Sequence, residues 1–197
     1  MHVNNEQTNT QRMLEHNRSK DRVYKGSLER KITNVALGNI DRTESTILNC
    51  EQYSFEKLEN LLSNSSAGFV QSDADPQIII KIKFVEKVDC HSIHFHPFPS
   101  ESSENSSPPR IVKLFVNQPS LDFSDIDSAL PTHSIELPFE YADNKPFLVN
   151  LALTGAKFSR ISSLQILIDD NFGTDQTAIG RIQIEGSIVP SYHTEFK

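Results

Sequence analysis

The chain reads as an all-β protein, an antiparallel sandwich or barrel with one short helix. Three observations carry this reading. After position 75 apolar residues recur at every second position, β-branched and aromatic types dominate those runs, and polar punctuation separates them. A parallel α/β sheet would need crossover helices between the strands, and no helical interval falls there.

The helix signal lies earlier, over residues 51–62 (EQYSFEKLENLL). Phe55, Leu58 and Leu62 recur there at i, i+3 and i+7, Ser54 can cap the N-terminus, and Lys57 and Glu59 take the wet face. This helix is expected to plug one end of the sandwich. SNSSAG (63–68) is a loop. In QIIIKIKFV, Ile78, Ile80, Ile82 and Phe84 share one face, with Lys81 and Lys83 on the other. Ile93 and Phe95 share a face in HSIHFHPF, as do Val112, Leu114 and Val116 in RIVKLFVN. Residues 133–137, 147–153, 164–168 and 179–184 follow the same rule. The Ser- and Pro-rich stretch 99–109 is a long exposed connection between two strands.

Charge divides the chain. Its 197 residues carry a formal charge of −7, with 37% hydrophobic and 23% charged residues. Residues 1–31 hold seven basic and four acidic side chains (+3), which leaves twelve and twenty-two (−10) for residues 32–197. The first segment is poor in large apolar residues and is expected to be a disordered arm. Residues 32–190 form the expected domain, and 191–197 a tail. An acidic domain lacks the basic stripe that nucleic acid requires, so no nucleic acid is expected on it. Apolar runs of five or six residues are far below the ~20 needed to cross a bilayer, so no membrane is expected either. No secretory signal follows Met1. Cys50 and Cys90, 40 positions apart, form neither a redox pair nor a zinc set, and two reduced thiols in a cytoplasmic or nuclear chain are expected.

Few patterns carry chemistry. In HSIHFH, His94 and His96 point to one side of a strand, a geometry from which two imidazoles can reach one metal, with His91 nearby. A solvated polar strand face is the preferred account, because no further ligands are visible. Asp73 and Asp75 in SDADP could offer oxygens to calcium, but Pro76 disfavours helix at Asp75 and makes a turn the simpler reading. DDNFGTDQT (169–177) fails the EF-hand spacing, and Gly173 fits a turn with positive φ. There is no G-x-S-x-G, no P-loop and no G-x-G-x-x-G. No catalytic residues, metal or cofactor are therefore expected. A sugar cleft is poorly supplied, with no tryptophan and four tyrosines.

An ordered series of segments goes beyond a generic sandwich: ESTILNC (44–50), FVQSDADPQIIIKIKF (69–84), KVDCHSIHF (87–95), IVKLFVNQPSLDFSDIDSALPT (111–132) and GAKFSRISSLQILIDDNFGTDQTAIGRIQIEGS (155–187). Within it stand Ile47-Leu48-Asn49, Ser72-Asp73-Ala74-Asp75, Val112 to Asn117 with Asp122-Phe123, Lys157-Phe158 and Asn171-Phe172-Gly173. The series resembles the PITH domain over about residues 40–188. The resemblance implies a jelly-roll β-sandwich akin to galactose-binding-like domains. It also implies docking on regulatory-particle subunits of the 26S proteasome as a non-enzymatic module, and a monomer is expected. No C-x-x-C precedes residue 40, so the chain resembles the stand-alone form of the family, and redox activity is not implied. Pro76 departs from an acidic residue usual there, and the histidines at 91–96 lie off the pattern. The residues expected to touch a partner are Asp73, Asp75, Asp122, Phe123, Asn171, Phe172 and Gly173. In the competing account Asp73 caps a turn, Phe123 covers the core edge and Gly173 permits a turn. Lys157-Phe158 is expected to be an aromatic anchor at a strand start. Two other readings remain: a jelly roll that binds a glycan or metal, and a regulatory factor in transcriptional or developmental control.

Overall fold

In the computed structural model the described residues are 31–64, 69–97, 105–139 and 145–190. The expected arm and C-terminal tail lie outside them, apart from Lys31. Among the described residues, eleven strands and one α-helix follow one another as β1 (Thr33–Asn34), β2 (Thr46–Leu48), α1 (Phe55–Leu62), β3 (Phe69–Gln71), β4 (Ile78–Phe95), β5 (Ser106–Ser107), β6 (Pro109–Val116), β7 (His133–Glu136), β8 (Phe147–Asn150), β9 (Ile161–Asn171), β10 (Gln176–Gly180) and β11 (Ile182–Ile188). No helix among the described residues is long and apolar enough to cross a membrane.

β4 organises the whole. Its first half pairs with β2 on one side and β9 on the other, and β9 continues through β6 to β7. Its second half pairs with β8 and β11, and β11 continues to β1. These eight strands form one continuous ladder through β4, and an irregularity between Lys83 and Val88 divides it into two parts, the five-stranded sheet β2, β4, β9, β6 and β7 and the four-stranded sheet β4, β8, β11 and β1. A short sheet of β3, β10 and β5 completes the fold, with β10 and β5 parallel. All other strand pairs are antiparallel, as alternation without crossover helices requires.

Side chains alternate across these ladders. Ile78, Ile80 and Ile82 stand opposite Ile168, Ile166 and Leu164, which stand opposite Val112, Leu114 and Val116. From the other sheet, Ile93 and Phe95 meet Ile184 and Ile182 on one side and Val149 and Phe147 on the other. Nearly all are fully buried, and together they form one apolar core. Phe158, expected as an anchor, is 2% exposed in that core, in a 3-10 turn just before β9.

The helix begins where the cap residue predicts. The Ser54 side chain accepts the Lys57 N–H at 3.1 Å, and Leu58, Leu61 and Leu62 are buried. α1 packs on β2, β3 and β11, and the Asn34 amide donates to the Leu62 carbonyl at 2.8 Å. Ser54→Ala removes one cap bond and should cost about 1 kcal/mol, read as a lower unfolding midpoint. No change in midpoint would mean the cap does not stabilise the fold.

Several details depart from the sequence reading: the helix covers Phe55–Leu62 and not 51–62, and the connection expected over 99–109 is strand at Ser106–Ser107 and from Pro109 onward. The runs at 78–84 and 93–95 are one 18-residue strand. The run at 179–184 belongs to two strands, because Arg181 breaks the ladder between β10 and β11. The stretch 147–153 stays extended only to Asn150, whose side chain then caps a 3-10 turn over Leu151–Thr154.

A second, smaller apolar cluster lies on the outer face of the five-stranded sheet. Ile79, Phe115 and Leu167 point away from the main core and are fully buried beneath the connection 117–132, which lays Leu121, Phe123, Ile126 and Ala129 over them. Both ends of this lid are tied down. The Gln118 N–H donates to buried Gln165 Oε1 at 3.2 Å, and Thr132 N–H donates to the Leu114 carbonyl at 2.8 Å.

Candidate functional site

Because β3 and β10 are antiparallel, the loop leaving β3 and the loop entering β10 meet at one end of the molecule. These loops are Ser72–Gln77 and Asn171–Asp175, and they carry five of the seven residues expected to touch a partner. Ser72 is fully buried. Its N–H donates to the Thr177 carbonyl and its Oγ accepts the Thr177 N–H, each at 2.9 Å. Thr177 Oγ1 donates to the Pro76 carbonyl at 2.6 Å. The Gln176 amide donates to the carbonyls of Ser72 at 3.0 Å and Asp73 at 3.2 Å. The two loops are thus one hydrogen-bonded unit.

Asparagines shape each loop from within. Asn49, at φ 55°, donates to Asp75 Oδ1 at 2.9 Å and to the Gln77 carbonyl at 2.6 Å, and accepts the Ala74 N–H at 2.9 Å. Asp75 Oδ1 also accepts the Gln77 N–H at 2.9 Å, so the SDADP segment is a side-chain-closed turn, as Pro76 suggested. Asn171 is 4% exposed. Its Oδ1 accepts the N–H groups of Gly173 at 2.8 Å and Thr174 at 3.2 Å. Its Nδ2 donates to the Thr174 and Gln176 carbonyls and to Thr177 Oγ1, at 2.9–3.0 Å. Gly173 has φ 104°, the positive value expected for it.

This geometry sorts the expected contacts. Asp73 and Asp75 are exposed, Phe172 is half-buried and Gly173 is exposed, so all four face solvent at this end. Asn171 does not, and its amide is spent internally. That corrects the expectation of a surface contact there: Asn171 positions Phe172 and Gly173. Exposed Phe139 meets Phe172 edge-on, with ring centroids 5.2 Å apart. Asp73 and exposed Asp175 carry no side-chain hydrogen bond or ion pair with other described residues, whereas Asp169 pairs with Lys113 at 2.7 Å and Asp170 pairs with Arg110. Asp122 and Phe123 lie elsewhere, in the lid. Phe123 covers the outer cluster, and the Ser124 hydroxyl and N–H both donate to Asp122 Oδ1, at 2.6 and 2.8 Å. These bonds hold the Asp122 carboxyl below the usual carboxylate range.

Sequence reasoning missed Gln176, Thr177 and Phe139. Nothing in their spacing marks them, because Gln176 and Thr177 act through pairing with a segment 104 to 105 positions away and Phe139 through a ring on a different loop. Asn49 was visible only as part of the Leu48-Asn49 step.

The histidine strand does not gather ligands. His94 and His96 share a side as expected, but His94 Nε2 lies 3.2 Å from Glu185 Oε2, and His96 packs on the Arg181 guanidinium. Burial first, then the Arg181 and His94 charges, push the His96 ring below the ordinary histidine range. Ser92 Oγ donates to Glu185 Oε2 at 3.2 Å and lies 3.4 Å from the same His94 nitrogen. With one imidazole nitrogen facing both groups, this is not a relay in which a histidine is oriented at one nitrogen and acts as base at the other. No cluster of three potential metal-ligating residues occurs among the described residues. Cys50 and Cys90 are unbridged, and burial pushes the Cys90 thiol up to about 12.

The architecture defines a jelly-roll β-sandwich. A mutant of the lectin binding domain of lectinolysin complexed with Lewis b superimposes with a TM-score of 0.53 at 6% identity, covering 80% of this chain and 99% of that one. A fucolectin from striped bass serum gives 0.53 at 9% identity, covering 82% and 51%. At such identities the likeness establishes the fold alone. The chain belongs to the PITH domain family, whose model matches residues 28–195. It is 35% identical over 154 residues to Thioredoxin-like protein 1 of Schizosaccharomyces pombe, covering 77% of this chain and 51% of that protein. It is 28% identical over 126 residues to human PITH domain-containing protein 1, covering 60% and 51%. The chain spans about half the length of these curated relatives.

Proposed function

We propose that this chain is a non-enzymatic protein-interaction module that docks on regulatory-particle subunits of the 26S proteasome, in the cytoplasm and nucleus. Family membership supports the class. The observation that carries the reading is the joining of two family-type segments, Ser72–Asp75 and Asn171–Gly173, into one prebuilt loop end that presents Asp73, Asp75, Phe172 and Gly173 to solvent. Loops already ordered by internal hydrogen bonds lose little freedom on binding, which favours a docking role. Uncommitted carboxylates there steer toward a basic patch on the partner and make association sensitive to salt. Asp122 and Phe123 serve in this reading to hold the lid in place.

The test is binding of the purified chain to purified 26S regulatory particle at low and physiological salt. Reversing charge at Asp73 and Asp175 together should weaken binding about tenfold at low salt. Glu56→Lys, a reversal on the exposed side of α1, should leave binding unchanged. No binding by the unaltered chain at either salt concentration removes the reading.

A further inference from the structure

The sequence holds two serines with an acidic residue three places on, and both lie in the same pattern: Ser72-Asp73-Ala74-Asp75 and Ser124-Asp125-Ile126-Asp127. No other serine or threonine in the chain has an acidic residue at that spacing. Acids just after a serine are the charge pattern that a basic kinase cleft recognises. The structure separates the two sites. Ser72 is fully buried and its Oγ is bonded to the Thr177 N–H, so no enzyme reaches it without opening the core. Ser124 is exposed in a run of turns, and exposed Asp127 makes no side-chain hydrogen bond or ion pair with other described residues.

We propose that Ser124 is phosphorylated by an acid-directed protein kinase and that the phosphate loosens the lid over the outer apolar cluster. The γ-phosphoryl group of ATP transfers to Ser124 Oγ. A phosphorus–oxygen bond forms there, the bond to the β-phosphate oxygen breaks to release ADP, and the hydroxyl proton passes to the kinase's base. The product carries about −1.5 to −2 charges where a neutral hydroxyl stood. That hydroxyl now donates to Asp122 Oδ1 at 2.6 Å, and the Asp122 N–H bonds Asp125 Oδ2 at 3.0 Å. The phosphate therefore loses a donor and gains two carboxylate neighbours. Lys81, half-buried on the same outer face, is the cation whose charge reaches Asp122, and one lysine does not offset both. The turns that seat Phe123, Ile126 and Ala129 begin at these aspartates, since the Asp125 N–H donates to the Asp122 carbonyl at 3.1 Å and the N–H groups of Ser128 and Ala129 donate to the Asp125 carbonyl at 3.0 and 2.8 Å. Weakening them frees the apolar cover.

The experiment treats the full chain with a purified acid-directed serine kinase and ATP, followed by mass spectrometry and amide hydrogen exchange. One phosphate is expected on Ser124 and none on Ser72. Ser124→Ala should accept none at that segment, and Asp127→Asn should slow incorporation about tenfold through loss of one charge contact with the enzyme. The amides of Ser124, Asp125, Ser128 and Ala129 should exchange faster in the phosphorylated chain, with β9 unchanged. Failure to modify Ser124, or modification of Ser72 in its place, overturns the assignment. Unchanged or slower exchange across 121–129 overturns the loosened lid.

Discussion

Replacing Gly186 with alanine should lower the unfolding free energy by about 3 kcal/mol, among the larger effects of any single substitution. The cause is space. A Cβ at Gly186 would collide with the Asp89 carbonyl oxygen and stand 3.1 Å from the Cys90 Cα, and both are backbone atoms with no side chain to swing aside. Gly186 lies at the register shift where β11 pairs with Cys90, and on its other side it pairs with Thr33 of β1. Separating β11 from β4 there would pull on the central ladder of the second sheet. Gly38→Ala is the matched control. Gly38 has φ 71° and open space around it, so alanine there costs only the left-handed strain, about 1 kcal/mol. Denaturant midpoints at unchanged slope measure both variants. Equal losses would show that the close approach at Gly186 is easily relieved.

The second large effect is expected at Asn171. Asn171→Ala strips two backbone N–H groups and three acceptors of their partner in one step. Leaving such groups unsatisfied in a part-buried loop should cost about 3 kcal/mol. Asn171→Asp should be no rescue, because it keeps the acceptor for Gly173 and Thr174 but turns a carboxylate oxygen toward two carbonyls. Under the docking reading, both variants should also weaken binding to the regulatory particle at temperatures where they remain folded. Thermal unfolding and binding on the same preparations check this. Lost stability with undiminished binding would mean that Phe172 and Gly173 do not touch the partner.

The inner faces of both sheets could be read from the sequence because period-two alternation is a local property. Ile80, Ile166 and Leu114 each announce their side without knowledge of the others. The outer cluster could not be read that way. Ile79 sits inside the run Ile78-Ile79-Ile80, where alternation is broken, and Leu121, Phe123, Ile126 and Ala129 follow no single period because a string of turns delivers them. The continuity of β4 was hidden by its polar middle, where Val85, Glu86 and Lys87 are exposed although the strand does not end. At the loop end the acidic residues and Gly173 were legible from turn chemistry. The parts of Asn49 and Asn171 were not. An asparagine that organises a turn from inside and one that faces a partner are identical in sequence, and only the hydrogen-bond partners tell them apart. Ser72 and Ser124 make the same point, being one pattern with opposite exposure.

β4 is a full member of both large sheets. Neither half of the molecule therefore owns a complete set of strands, and neither can melt while the other persists as a native layer. Damage to the ladder on one side should propagate along a single continuous backbone into the other, so the strands flanking both halves of β4 are expected to unfold together while surface covers such as the lid can open on their own.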